Sequence, residues 1–275
     1  MRRPPLAECW QRPSVIGIVN VTPDSFSDGG ENLDPSAAVT TARRLLDEGA
    51  ALVDIGGEST RPGAADVSLD EELRRVIPVL EELTGLPLSV DTSKAEVARR
   101  ALGLGVALVN DVTALRSDPE IAGVIADADA YVCLMHVQGE PRTMQDRPAY
   151  DDVVEEVASF LTERLAVAVA EGIDEDRVCL DPGIGFGKTV DQNLALIRGL
   201  DRICAIGPPV LVGISRKSTL ARVLGDPVGV GSDAASLGAA VGAFDRGASL
   251  FRVHDVASHV DALTIAAAIE DGAAR

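Results

Sequence analysis

Short apolar, β-favouring runs recur eight times along the chain, at 15–19, 52–55, 86–90, 107–109, 130–135, 178–180, 210–214 and 250–253. Each gives way to polar residues or glycine and then to a segment of helical periodicity. The runs are continuous rather than alternating, as expected for strands covered on both faces. Strand then helix, repeated eight times at ~34 residues per unit, predicts a single α/β domain over 1–275, a (β/α)8 TIM barrel.

The helical segments carry their own punctuation. Asp34-Pro35 offers a cap and a first-turn proline, Val39, Ala42, Leu45 and Leu46 form an apolar stripe, and Gly49 closes the helix. Ser68 and Glu71 have capping-box spacing ahead of Leu73, Val76, Ile77 and Leu80, with Pro78 expected to kink that helix. The segment 150–172 is the longest helical pattern, and 232–246 and 256–269 are rich in small residues suited to close packing or a subunit interface. Two connections are long and rich in Gly, Pro, Ser and Asp, 20–34 and 56–68, and are expected to be mobile loops that order over a substrate. Residues 1–13 are expected to be a flexible N-terminal extension.

In such a barrel all strand C-termini reach one face, where the site lies. The eight runs exit into Asn20, Gly56-Gly57-Glu58, Asp91, Asn110-Asp111, His136, Asp181, Ser215-Arg216-Lys217 and His254, so these residues converge although they span the sequence. Asp91, Asn110 and Asp181 are acceptors suited to the parallel N–H donors of a ring such as a pterin. Taken singly, Asp91 also reads as a helix start and Asp181-Pro182 as a turn. Thr60, Arg61, Ser215, Arg216, Lys217, Ser218, Arg252 and His254 suit a polyanion, and barrels often bind phosphate after strands seven and eight. The glycine-rich segment 181–188 has neither dinucleotide-fold nor P-loop spacing. Its Phe186, with Phe26, is a candidate wall for a flat substrate in a chain with only 3% aromatics, core packing being the alternative.

Composition narrows the partners. A formal charge of -18 disfavours nucleic acid and an anionic membrane surface, while leaving room for a small anion held by local cations. Arginine supplies 22 of the 25 basic residues, so Lys94, Lys188 and Lys217 each invite a specific explanation, Lys217 most of all. Cys9, Cys133, Cys179 and Cys204 form no CxxC pair and suggest reduced thiols in a cytoplasmic protein. Met1 to Ser14 has no apolar core of a signal peptide, and no apolar run approaches membrane-spanning length.

The segments 20–30, 54–63, 89–92, 110–111, 135–139, 181–188, 215–218 and 252–255 together resemble the full motif series of the dihydropteroate synthase family, from the first strand to the last. Val137 and Thr219 depart from it, standing where the family often has methionine and a larger apolar residue. The resemblance implies a transferase that condenses 6-hydroxymethyl-7,8-dihydropterin diphosphate with 4-aminobenzoate, giving 7,8-dihydropteroate and diphosphate. It implies that Asp91, Asn110, Asp181 and Lys217 bind the pterin and that Arg252 packs on its face. Thr60, Arg61, Arg252 and His254 would hold the diphosphate, with Mg2+ on Asn20. Phe26, Thr60, Arg61, Pro62, Phe186, Lys217 and Ser218 would form the aminobenzoate site, and a homodimer is implied. Asp24, an anion able to stabilise a positive methylene carbon, joins Arg61 and Lys217 as the expected catalytic residues. A pterin-dependent methyltransferase and a non-catalytic pterin-binding paralogue are the competing readings.

Overall fold

The computed structural model describes residues 3–22, 35–59, 66–139, 144 and 148–272. Its centre is a ring of eight parallel strands: β1 (Ser14–Asn20), β2 (Leu52–Gly56), β3 (Leu88–Asp91), β4 (Leu108–Asp111), β5 (Tyr131–Met135), β6 (Val178–Asp181), β7 (Leu211–Val212) and β8 (Leu250–Val253). Neighbours pair in the order β6-β5-β4-β3-β2-β1-β8-β7, and a parallel bridge between Leu180 and Val210 joins the two ends. A short α1 (Leu6–Cys9) packs on the lumen cluster, and helices cover the outside: α2 (Pro35–Asp47), α3 (Leu69–Glu82), α4 (Ala95–Gly103), α5 (Ile121–Asp127), α6 (Val153–Ala170), α7 (Val190–Arg198), α8 (Leu200–Cys204), α9 (Ser218–Val223), α10 (Asp233–Phe244) and α11 (Val256–Asp271). The eight expected strands are all present. β7 is shorter than its apolar run because the Ile214 carbonyl accepts from Lys217 N–H in a turn rather than extending the ladder.

Successive side chains of a strand point to opposite faces, and this divides the core in two. Val15, Val53, Val90, Val109, Val132, Leu180, Val212 and Phe251 face outward and pack with the helices. Ile16, Leu52, Leu108, Tyr131, Cys133, Cys179, Leu211 and Leu250 face the lumen. One step further along the same inward rows lie Asp54, Asn110 and Arg252, and then Asn20, Asp91 and Asp181. The lumen is therefore apolar at the N-terminal end of the strands and polar at the other.

Residues 3–13 do not form a loose extension in this structure. Leu6 is fully buried and Trp10 nearly so, both in the lumen cluster, with the Trp10 ring edge-on to Tyr131 at 4.9 Å. Arg177, 1% exposed, donates to the carbonyls of Pro4 (2.6 Å) and Arg3 and to Asp129 (2.9 Å), while the Tyr131 hydroxyl donates to Pro4 at 2.7 Å. The segment has no periodicity, so only tertiary contacts define its place.

The helix starts carry one correction. Ser68 caps α3 by accepting from Glu71 N–H at 3.3 Å, but the Glu71 carboxylate does not return the bond and pairs with Arg74 and Arg75 instead. The complete capping box is at α7, where Thr189 and Gln192 bond reciprocally. α3 runs through Pro78 without interruption. Among the described residues, no helix is long and apolar enough to cross a membrane.

Candidate active site

The polar end of the lumen is organised around Arg252 on β8. Its Nε donates to Asp54 Oδ2 at 2.6 Å and its Nη2 to Asp91 Oδ2 at 2.9 Å. Asp54, 1% exposed, also accepts from the Ser89 hydroxyl at 2.5 Å and from the Asn110 amide at 3.2 Å. Strands β2, β3, β4 and β8 thus share one network. Burial pushes the Asp91 carboxyl upward, opposed by Arg252, and the carboxylates together hold Arg252 above its ordinary pKa although burial works against its charge. Two acids against one guanidinium leave carboxylate lone pairs for N–H donors entering from the mouth.

Asp54 is absent from the expected site residues because it falls inside the second apolar run. The signal for it was alternation: Leu52, Asp54 and Gly56 share a face, and a charge inside a parallel barrel needs a partner. Asp111 differs from its neighbour Asn110. It points outward, fully buried, and accepts from Leu115 N–H (2.7 Å), Thr113 N–H (2.8 Å) and the Ser93 hydroxyl (2.5 Å), a turn-forming role.

Asp181 closes β6. One oxygen accepts from Gly183 N–H at 2.7 Å, as the turn reading expects. Burial raises its carboxyl, with Lys217 pulling the other way. Lys217 donates to the Ile184 carbonyl, and its ammonium lies 4.2 Å from the Phe186 ring centroid. Burial lowers Lys217 to about 8 against the attraction of Asp181. The Arg216-Lys217 pair splits: Arg216, at φ 56°, leaves the mouth and grips Asp233 at 2.7 and 3.0 Å. Behind it Ser215 Oγ lies 3.0 Å from His254 Nδ1 and accepts from the His254 N–H. Ser218 is exposed beside them at the start of α9.

The other two lysines are structural. The Lys188 ammonium, 2% exposed, donates to the Gly183 and Phe186 carbonyls and to His136 Nδ1, each at 2.9 Å. Burial lowers His136 to about 3, so its ring is neutral and accepts the lysine proton at Nδ1. Gly183, at φ 67°, must be glycine because a Cβ would stand 1.9 Å from the His136 carbonyl oxygen. Lys94 pairs with Glu58 and Glu72 at 2.5 Å each. Phe186 is half-buried, resting on Val112, Met135, Val137 and Met144 under the lysine, so core packing accounts for one side of its ring.

Asn20 ends β1 in register with Gly56, on the inward row and partly exposed. Among the described residues no three His, Cys, Asp or Glu side chains cluster as metal ligands. The donor set here is one neutral amide. Asp24, Phe26, Thr60, Arg61 and Pro62, and the central parts of the long loops that carry them, 23–34 and 60–65, lie outside the described residues. The structure thus brings together Asp91, Asn110, Asp181, Lys217, Arg252, His254 and Phe186 and adds Asp54 and Ser89.

Residues 16–254, from β1 to the exit of β8, match the model of the pterin binding enzyme family. The chain belongs to this family. The dihydropteroate synthase of Neisseria meningitidis serogroup C is 46% identical over 257 residues, 92% of this chain and 91% of that protein. Two solved structures of the Xanthomonas albilineans dihydropteroate synthase also match, each covering 94% of both chains. The one with 4-aminobenzoic acid is 51% identical with a TM-score of 0.86, and the one in complex with 7,8-dihydropteroate is 48% identical with a TM-score of 0.83. In a pterin binding enzyme, the acceptor row Asp54, Asp91, Asn110 and Asp181 is chemically apt, since a pterin presents several ring and exocyclic N–H donors.

Proposed function

We propose that this chain is a dihydropteroate synthase, condensing 6-hydroxymethyl-7,8-dihydropterin diphosphate with 4-aminobenzoate to release diphosphate. The observation that carries this is the pairing, in one barrel mouth, of buried acceptors on β2, β3, β4 and β6 with cationic groups on β8 and at the start of α9. The acceptors suit a pterin and the cations suit its diphosphate. The Neisseria and Xanthomonas relatives are named for this reaction.

In this reading Asp91, Asn110 and Asp181 accept N–H bonds from the pterin, Asp54 orients Asn110 and Arg252, and Arg252 packs against the ring. Lys217 and His254, with Thr60 and Arg61, stabilise charge growing on diphosphate as the methylene C–O bond breaks. The aniline nitrogen then forms the C–N bond and its surplus proton goes to solvent, so no protein nucleophile is needed. Phe186 and Ser218, with Phe26, Thr60, Arg61 and Pro62, hold aminobenzoate, and Asp24 is the anion assigned to stabilise the electron-poor carbon. Mg2+ suits a site with a single amide ligand, Asn20, because this ion keeps waters and takes substrate phosphate oxygens; bound there it would neutralise charge on the leaving group. The protein acts in the cytoplasm, in keeping with four free cysteines, and as a homodimer, with Ile265 and Ile269 exposed on one face of α11 as the supporting feature.

The test is product formation from the two substrates, with and without Mg2+, in the parent and in Asp181→Asn. Removing the charge should weaken pterin diphosphate binding roughly a hundredfold, since a site that hydrogen-bonds its substrate discriminates by several kcal/mol. Affinity within about threefold of the parent would remove Asp181 from the pterin site, and a parent that makes no dihydropteroate would remove the activity.

A further inference from the structure

Lys217 and Phe186 come from different elements, α9 and the glycine-rich turn after β6, and they must keep a fixed separation to form one wall. A buried amide on a third element joins the two. Asn193 lies on α7 and is 1% exposed. Its Oδ1 accepts from Gly185 N–H at 2.7 Å, and its Nδ2 donates to the Thr219 hydroxyl at 2.9 Å and, at longer range, to the Lys188 carbonyl at 3.4 Å. Thr219 is 3% exposed and sits on α9 two residues beyond Lys217. The fit between turn and lysine is close: Gly185 is at φ 85°, and a Cβ there would stand 2.7 Å from Lys217 Cδ.

We propose that Asn193 and Thr219 are positioning residues that set the aminobenzoate wall, with the Thr219 hydroxyl fixing the separation of Phe186 from Lys217 and Ser218. This rests on the assignment of Phe186 and Ser218 to aminobenzoate. Both hydrogens of the Asn193 amide are committed, and its oxygen holds the turn. An apolar side chain at 219 would leave one buried N–H without a partner, and the amide would rotate to recover one, loosening its hold on Gly185. The pterin acceptors on β2, β3 and β4 lie outside this linkage; at its edge Asp181 is held by Gly183 N–H and Lys217 by the Ile184 carbonyl, neither through Asn193, so loss of the Thr219 hydroxyl should free the Gly185-Phe186 turn and act first on aminobenzoate.

The experiment compares Thr219→Val, which keeps the shape and removes the hydroxyl, with Thr219→Ser, which restores it. In Thr219→Val the KM for 4-aminobenzoate should rise about tenfold, while the KM for pterin diphosphate stays within about twofold and kcat within about threefold. In the ligand-free protein, exchange of the Gly185 amide should quicken by about tenfold. Thr219→Ser should return both readouts to within about twofold of the parent. Unchanged Gly185 exchange, an equal rise in both KM values, or a serine variant as impaired as the valine one would each overturn the proposal. A parent that forms no dihydropteroate would strike the functional assignment, whereas the exchange readout would still decide whether the linkage exists.

Discussion

Two arginines stand at opposite ends of one barrel lumen, and what satisfies them differs. Arg177, beneath the apolar end, donates to the carbonyls of Arg3 and Pro4 and to an acid, Asp129, that is 37% exposed. Arg252, at the polar end, donates to Asp54 and Asp91, which are 1% and 8% exposed. Two carbonyls and two part-exposed acids, Asp129 and Asp176, hold Arg177, so no buried carboxylate depends on it. At Arg252 the acids outnumber the cation, which keeps carboxylate oxygens in reserve for a ligand. The same side chain thus serves as a seal at one end and as a counter-ion within a recognition surface at the other.

Removing each arginine is the strongest test of that contrast. Arg252→Met strands two buried carboxylates, and breaking a buried pair from one side costs about 3–5 kcal/mol. The expected result is a loss of kcat/KM for pterin diphosphate on the order of a thousandfold, with a lowered Tm that partly recovers in acid as the stranded carboxyls protonate. Burial already raises Asp91, so its recovery should begin above the ordinary carboxylate range. A variant within tenfold of the parent in kcat/KM would mean that Arg252 is no more than a second seal.

The next effect is smaller and of another kind. Arg177→Met leaves carbonyls rather than buried charges unpaired, so the cost should be about 2–3 kcal/mol, or roughly 5–10 °C in Tm for a domain of this size. Below its melting range the variant should keep kcat and both KM values within twofold. Thermal melts paired with steady-state assays at 25 °C check this. A change in KM would show that the two ends are energetically coupled and the contrast is not one of independent roles.

The two ends also differ in how far the sequence reveals them. The eight strands and their exits are plain because each run is short, apolar and followed by polar or glycine residues, and those exits supply Asp91, Asn110, Asp181, Lys217 and His254. Asp54 is hidden because it sits within a run, where only strict alternation shows that it shares a face with Gly56. Lys188 resembles a ligand-binding lysine until the three-dimensional turn brings two carbonyls and His136 around its ammonium. The packing of Leu6 and Trp10 carries no local signal, since two apolar residues in a short polar stretch fit a tail equally well. Local patterns report which elements form; partners distant in sequence, such as Asp54 with Arg252, arise only when the ring closes.

The smallest expected effect separates fixed charge from titratable charge within the polar end itself. Arg252 stays protonated throughout the working range, whereas burial brings Lys217 down from an ordinary lysine value to about 8. Lys217 is therefore cationic below about pH 8 and loses its charge as pH rises through that value. Because kcat/KM reports the free enzyme, its value for the anionic pterin diphosphate should be level near pH 7 and fall by up to tenfold per unit above about pH 8. Lys217→Arg should lower the plateau, since a planar guanidinium does not reproduce the ammonium's contact with the Ile184 carbonyl, yet carry its activity flat to about pH 10. If the arginine variant keeps the same descending limb, the titrating group is not Lys217, and Lys188, which burial lowers to about 7, becomes the candidate through its hold on the glycine-rich turn.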